Sequence, residues 1–375
     1  MYSTEALNHV ISVAAASADQ VDAEGAYPAA AVDALRGSGL LGLVVPEEAG
    51  GLGAGPQQFV DVVGGLAAAC GSTAMVYLMH TAAAVTVAAA PPPGMPEMLS
   101  AMASGNALGT LAFSEKGSRS HFWAPVSTAA LSDDGDTVKL RADKSWVTSA
   151  GYADIYIVSA GSTSGVAGEV DLYALPRSGE GLSVVAPFAG MGLRGNASSP
   201  MTVDATIPVA SRLGAQAAGF GLLMETVLPW FNLGNAAVSL GLAGSAYVAT
   251  IGHVSGARLE HRDEALSALP TIRAQIAKMG TTLAAQRAYL RSAAASVSAP
   301  DEETLNHVLG IKASANDAAL TITESAMRVC GGAAFSKHLP IERNFRDARA
   351  GAVMAPTADV LYDFYGKAVT GLPLF

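Results

Sequence analysis

The 375-residue chain reads as an α+β protein of three units: an N-terminal helical domain (1–107), a β-barrel or β-sandwich domain (108–213) and a C-terminal four-helix bundle (214–375). In the first unit apolar residues recur at three-to-four spacing, as at Val10 and Val13 or Val32 and Leu35, with almost no strand-like alternation. Between residues 108 and 213 the texture turns to short alternating or β-branched runs parted by turn pairs such as Asp134-Gly135. From Phe220 onward the helical period returns in long segments. A chain of this length outgrows a single hydrophobic core, so packed units sharing an interior are expected.

Within the first unit, the segment 39–55, with Pro46 among its glycines, is punctuation, and Pro91-Pro92-Pro93-Gly94 with Pro96 is a second break. Strands are expected at 137–140, 155–159, 170–175, 182–185 and 201–203. Helices are expected at 222–256, 269–297, 302–330 and 358–369, enough for a bundle.

Composition narrows the function classes. A net charge of −10 with only 22 Lys and Arg argues against a nucleic-acid surface, which needs clustered cations. Cys70 and Cys330 are the only cysteines, which removes a disulfide framework and a cysteine-rich metal site; a reducing cytoplasm is the expected location. Acidic residues scatter through the first 25 positions where a signal peptide would be basic and then apolar. The apolar region 222–254 is interrupted by Glu225, Pro229, Asn232 and Asn235 and reads as a buried helix rather than a membrane span. Abundant Gly and Ala let helices approach closely, which suits a homo-oligomer, a dimer or a tetramer.

Several motifs occur in a fixed order. Leu35-Arg36 leads through Gly39-Leu40-Leu41-Gly42 to Val45-Pro46-Glu47-Glu48 and Gly50-Gly51-Leu52-Gly53. Leu111-Ala112-Phe113-Ser114-Glu115 is followed by Gly117 and Ser120, then by Lys144, Trp146, Val147 and Thr148 ahead of Ala153-Asp154. Gly192, Arg194, Val203 and Pro208 come next, and Gly331-Gly332, Arg346-Asp347-Ala348 and Ala355-Pro356-Thr357 close the series. In this order, over nearly the whole chain, the set resembles the acyl-CoA dehydrogenase family. The resemblance implies a flavoprotein holding FAD, with FMN or an exchangeable reduced flavin as the alternative. By the same resemblance, Trp146 walls the isoalloxazine, Ser114 and Thr148 meet its pyrimidine edge, and Ser120 with nearby glycines accommodates the pyrophosphate. Phe113, Arg328, Gly331, Gly332 and Thr357 complete the implied cofactor set. No metal is expected.

The chemistry departs from the family pattern. Members carry a catalytic glutamate at one of two places, which align here with Ala355 and Phe231, both read as lining the substrate pocket; neither accepts a proton. Arg328 stands where a glutamine is usual, and the 258–263 segment lacks the family's Arg-x-x-Phe-Gly. His80, read as the end of a first-domain helix at the substrate cavity, is the candidate replacement base. His121 and Asp359 have ordinary loop and capping readings beside any catalytic one. The expected function is oxidation of an acyl thioester, on CoA or a carrier protein, with electrons passed to a partner protein. A monooxygenase or oxidase fed by a flavin reductase is the alternative, and a flavin-binding scaffold without turnover is the third.

Overall fold

The computed structural model describes residues 2–375. The first domain packs five helices: α1 (Thr4–Glu24), α2 (Ala29–Gly37), α3 (Pro56–Ala69), α4 (Gly71–Ala89) and α5 (Met98–Ala103). Ser3 caps α1 by accepting from the Ala6 N–H at 3.2 Å, and Gly25 ends it in the left-handed region. The segment read as a loop, 39–55, forms two short 3-10 turns, Leu40–Gly42 and Glu47–Ala49. Helix α4 is apolar on nearly every face and is buried along almost its whole length.

Seven strands follow: β1 (Gly109–Ala112), β2 (Thr128–Leu131), β3 (Thr137–Val147), β4 (Ile155–Gly161), β5 (Val170–Pro176), β6 (Leu182–Val184) and β7 (Ser199–Pro208). They form two sheets, ordered β1-β4-β5 and β2-β3-β7-β6, around a core that includes Leu140, Tyr156, Tyr173 and Val203. Every strand expected from the sequence is present. β1 and β2 join them, and β1 lies parallel to β4.

The last domain begins with α6 (Gly219–Leu222), widens into a π-turn over Leu223–Val227, and continues as α7 (Leu228–Gly256). Pro229 accounts for the widening: a proline inside a regular helix clashes with the carbonyl four residues earlier, and a wider turn relieves it. A two-stranded ribbon, β8 (Arg258–Leu259) and β9 (Glu264–Ala265), leads to α8 (Pro270–Ser298), α9 (Thr304–Cys330), α10 (Gly332–Phe335), α11 (Ile341–Val353) and α12 (Ala358–Val369). The four helices expected are present as α7, α8, α9 and α12, while α11 went unanticipated. Gly241 sets how closely α7 meets α3, because a Cβ there would lie 2.6 Å from the Gly64 carbonyl oxygen.

Polar contacts lock the three domains together. Arg36 binds Asp154 at 2.7 Å, and the same carboxylate oxygen accepts from the Leu108 N–H at 2.9 Å, joining the first domain to the second. The Arg346-Asp347 motif joins all three: Arg346 forks onto Asp22 of α1 and bonds the Met191 carbonyl, while Asp347 accepts from the Leu193 N–H at 2.6 Å. Among the described residues, α4 and the 219–256 helix are long and apolar enough to cross a membrane, but most of each packs inside the protein.

Candidate flavin and acyl site

Trp146 owes its position to an irregularity in β3. Val138, Leu140, Ala142 and Lys144 alternate inward, and that parity continued would bury Trp146 as well. The pairing with β7 slips between Lys144 and Val147, a bulge that reverses the parity and leaves Trp146 63% exposed. Phe188 meets the indole edge-on at 6.4 Å, and the same sheet leaves Val184 exposed. An uncovered indole in such apolar company fits the flat wall that an isoalloxazine requires. Phe188 is a member of this surface that no sequence motif signalled.

The loop after β1 is pinned from below. The Ser114 carbonyl accepts from the Ser145 N–H at 2.8 Å, and Glu115 turns inward to an ion pair with Lys144, both side chains essentially unexposed. Glu115 also accepts from the N–H groups of Val126 (2.5 Å) and Ser127 (3.1 Å), while Lys144 donates to the Ser159 carbonyl at 2.7 Å. Phe113 is buried and stacks on Phe122 at 6.4 Å, so its ring belongs to the core and only its backbone remains for a ligand. Thr148 is buried too. Its hydroxyl pairs with Ser198 at 3.0 Å and its carbonyl accepts from the Thr110 hydroxyl at 2.8 Å.

Ser120 and Thr357, 237 positions apart, come together: the Thr357 N–H donates to the Ser120 hydroxyl at 2.9 Å and the two hydroxyls lie 3.3 Å apart. The loop of the second domain is therefore tied to the turn between α11 and α12. Ala355 on that turn and Phe231 on α7 both pack against one apolar cluster, which also takes in Met79, Met224 and Phe113. Arg328, Gly331 and Gly332 lie apart from this group. All three are exposed near the end of α9, with Arg328 in a surface cleft of about 210 Å³ shared with Thr271 and Gln275 of α8. His121 and Asp359 are exposed.

His80 requires a correction. It lies in the middle of α4 rather than at its end and is wholly buried. Its Nδ1 accepts from the Gly109 N–H at 3.0 Å, which fixes the proton on Nε2, and Nε2 donates to the Leu41 carbonyl at 3.1 Å. Burial lowers its pKa from 6.5 to about 4, against the opposing pull of Leu41. With both nitrogens engaged, His80 joins α4 to the first 3-10 turn and to β1, and no nitrogen is left to shuttle a proton.

A pH-dependent stability follows from that neutral imidazole. Between pH 6.5 and about 4 the unfolded chain takes up a proton that folded His80 refuses, so its stabilising contribution, complete above 6.5, is lost as pH falls through that window. The loss should be about 3 kcal/mol at ~1.4 kcal/mol per pKa unit. Asp347 acts in the opposite sense: burial raises it to about 6, so its contribution is lost as pH rises through 6. The readout is therefore the difference in denaturant stability between native protein and His80→Gln across pH 4 to 7. A difference that does not change with pH would contradict the neutral, buried imidazole.

Comparison with known proteins agrees with the architecture. The acyl-CoA dehydrogenase N-terminal, middle and C-terminal domain families match residues 4–106, 110–206 and 217–370. The chain is 28% identical over 349 residues to the mitochondrial short-chain specific acyl-CoA dehydrogenase of Homo sapiens, covering 92% of this chain and 83% of that protein. It is 26% identical to the acryloyl-CoA reductase (NADH) of Anaerotignum propionicum, covering 92% and 87%. Butyryl-CoA dehydrogenase from Megasphaera elsdenii shares the fold with a TM-score of 0.90 at 23% identity over 99% of each chain. Matched across all three of its domains, the chain belongs to the acyl-CoA dehydrogenase family.

Proposed function

We propose that this protein is an FAD-dependent oxidoreductase acting on acyl-CoA thioesters. The observation that carries the reading is the uncovered indole of Trp146, turned outward by a bulge on the strand where the family resemblance places the flavin wall. Bound FAD would supply the two-electron acceptor or donor for the acyl chain. Trp146 and Phe188 would hold its flat face, and the backbone of Phe113 and Ser114 would border it. Ser120 and Thr357, already bonded to each other, would keep the loop and turn at its edge in one arrangement.

Neither Ala355 nor Phe231 accepts a proton, and His80 is engaged elsewhere. Proton exchange at the α-carbon would then run through solvent, which favours thioesters whose α-proton is already acidified, or saturation of an enoyl thioester. The oxygen-dependent alternative loses the histidine that could have served beside the flavin, and keeps only the altered 258–263 and Arg328 positions in its favour. Names among the relatives favour a CoA handle over a carrier protein. Phe335 (81% exposed), Val353 (75%) and Val248 (68%) offer apolar surface for a dimer or tetramer, which is part of the same proposal. So are a separate electron-transfer partner and a cytoplasmic location, the latter consistent with two free, buried cysteines.

Anaerobic titration of the as-purified protein with a panel of acyl-CoA and enoyl-CoA thioesters is the test. The expected result is a yellow protein whose visible flavin absorbance is lost with a saturated thioester, or returns after chemical reduction with an enoyl thioester. A protein inert in both directions that consumes oxygen only with added reduced flavin would overturn the assignment.

A further inference from the structure

Beneath the Met354-Ala355-Pro356-Thr357 turn lies a charged side chain that the site as described does not use. Lys312 of α9 is completely buried, and its Nζ donates to three carbonyls: Gly351 at 3.1 Å, Met354 at 3.1 Å and Pro356 at 2.8 Å. It is the one charged residue within Leu309-Gly310-Ile311-Lys312-Ala313. Gly351 and Met354 supply carbonyls at the C-terminal end of α11, where a helix leaves acceptors unpaired and partial negative charge gathers. No carboxylate lies in ion-pair reach of Lys312 among the described residues, so these carbonyl dipoles are its counter-charge.

The seat around it is built to match. A Cβ on Gly351 would lie 2.6 Å from the nearer terminal atom of the Asn316 amide and 2.8 Å from the Ser239 hydroxyl. With its amide oriented to donate, Asn316 reaches the Gly351 carbonyl at 3.0 Å and accepts from Ser239 at 2.8 Å. The final turn of α11 thus rests on a buried polar floor supplied by α7 and α9. Burial lowers the Lys312 pKa to about 7, and three carbonyl acceptors are the arrangement that suits its charged form. Three acceptors use all three donors of an ammonium, whereas a neutral amine would turn its lone pair toward one of the oxygens.

We propose that Lys312 is a positioning residue of the flavin and acyl site, whose buried ammonium fixes the 354–357 turn. It holds Met354 and Pro356 on either side of Ala355. Through Thr357 and its bond to Ser120, it also sets the loop of the second domain. The role at the site rests on the function proposed above, while the effect on the turn does not.

The test uses full-length Lys312→Met and Lys312→Arg. Hydrogen exchange should be at least tenfold faster across 351–361 and 113–124 in the methionine variant, with α7 and α8 within twofold of native, and the arginine variant should recover part of the protection. Where the native protein turns over an acyl-CoA, kcat should fall at least tenfold in Lys312→Met with KM changed less than threefold. A native protein that reacts with no thioester would remove the functional reading and leave the exchange result to decide the role of Lys312. Unchanged exchange at 351–361, protection lost uniformly over the chain, or failure of both variants to fold would overturn the proposal and make Lys312 a residue of bundle stability alone.

Discussion

Ala355→Glu should be reduced anaerobically by a saturated acyl-CoA ~10²–10⁴ times faster than the native protein, the range a positioned general base contributes. Position 355 is suited to such a group. It is half-buried, it packs in the same apolar cluster as Phe231 and Met79, and Lys312 holds the carbonyls on both sides of it. A carboxylate placed there would be partly desolvated, which raises its pKa toward the range where a base is most effective. Ala355→Gln is the control, equal in size and unable to accept the proton. Stopped-flow loss of flavin absorbance separates the cases. A gain below threefold, or the same gain with glutamine, would mean that proton abstraction does not limit the native protein.

The order of the domains was legible because it is written in periodicity. The apolar, β-branched runs of β4 and β5 and the long apolar repeats of α7 and α9 are local signals, and each became the expected element. What escaped depends on neighbours distant in sequence. Helix α11 reads as a string of charged motif residues, Glu342, Arg343, Arg346 and Asp347, because its buried face puts only Ile341 and Ala348 into the apolar core and its polar residues bind Asp22, Met191 and Leu193. Trp146 was found by motif, but its exposure comes from a bulge that parity alone would deny. His80 looked like a catalyst because a lone histidine carries no mark of its partners; Leu41 and Gly109, 39 and 29 positions away, claim both its nitrogens. Lys312 was invisible for the same reason, since its partners are backbone carbonyls of a different helix and the turn beyond it.

The Lys144–Glu115 pair makes the same point with a measurable consequence. As sequence, Lys144 belonged to the strand motif that carries Trp146. In the structure its charge faces away from Trp146 and into the protein, paired with Glu115 and bonded to Ser159. Burial pulls the Lys144 ammonium down to about 8, against the attraction of Glu115 that holds it up. Such a pair adds little net stability over a well-packed apolar pair, because desolvating two charges nearly offsets their attraction, yet breaking one side costs about 3–5 kcal/mol. Lys144→Met should therefore lower unfolding stability by about that amount, since Glu115 is left as a buried carboxylate with two backbone N–H partners and no cation. Lys144→Met combined with Glu115→Gln should recover most of the loss, because a neutral amide oxygen can still accept from Val126 and Ser127. Denaturant titrations of the two single variants and the double variant close the thermodynamic cycle. Purely additive losses would show that the pair is not coupled. Strong coupling would make this ion pair the anchor beneath Ser114 and Ser120, and the single variants should then also bind flavin more weakly than the double variant does.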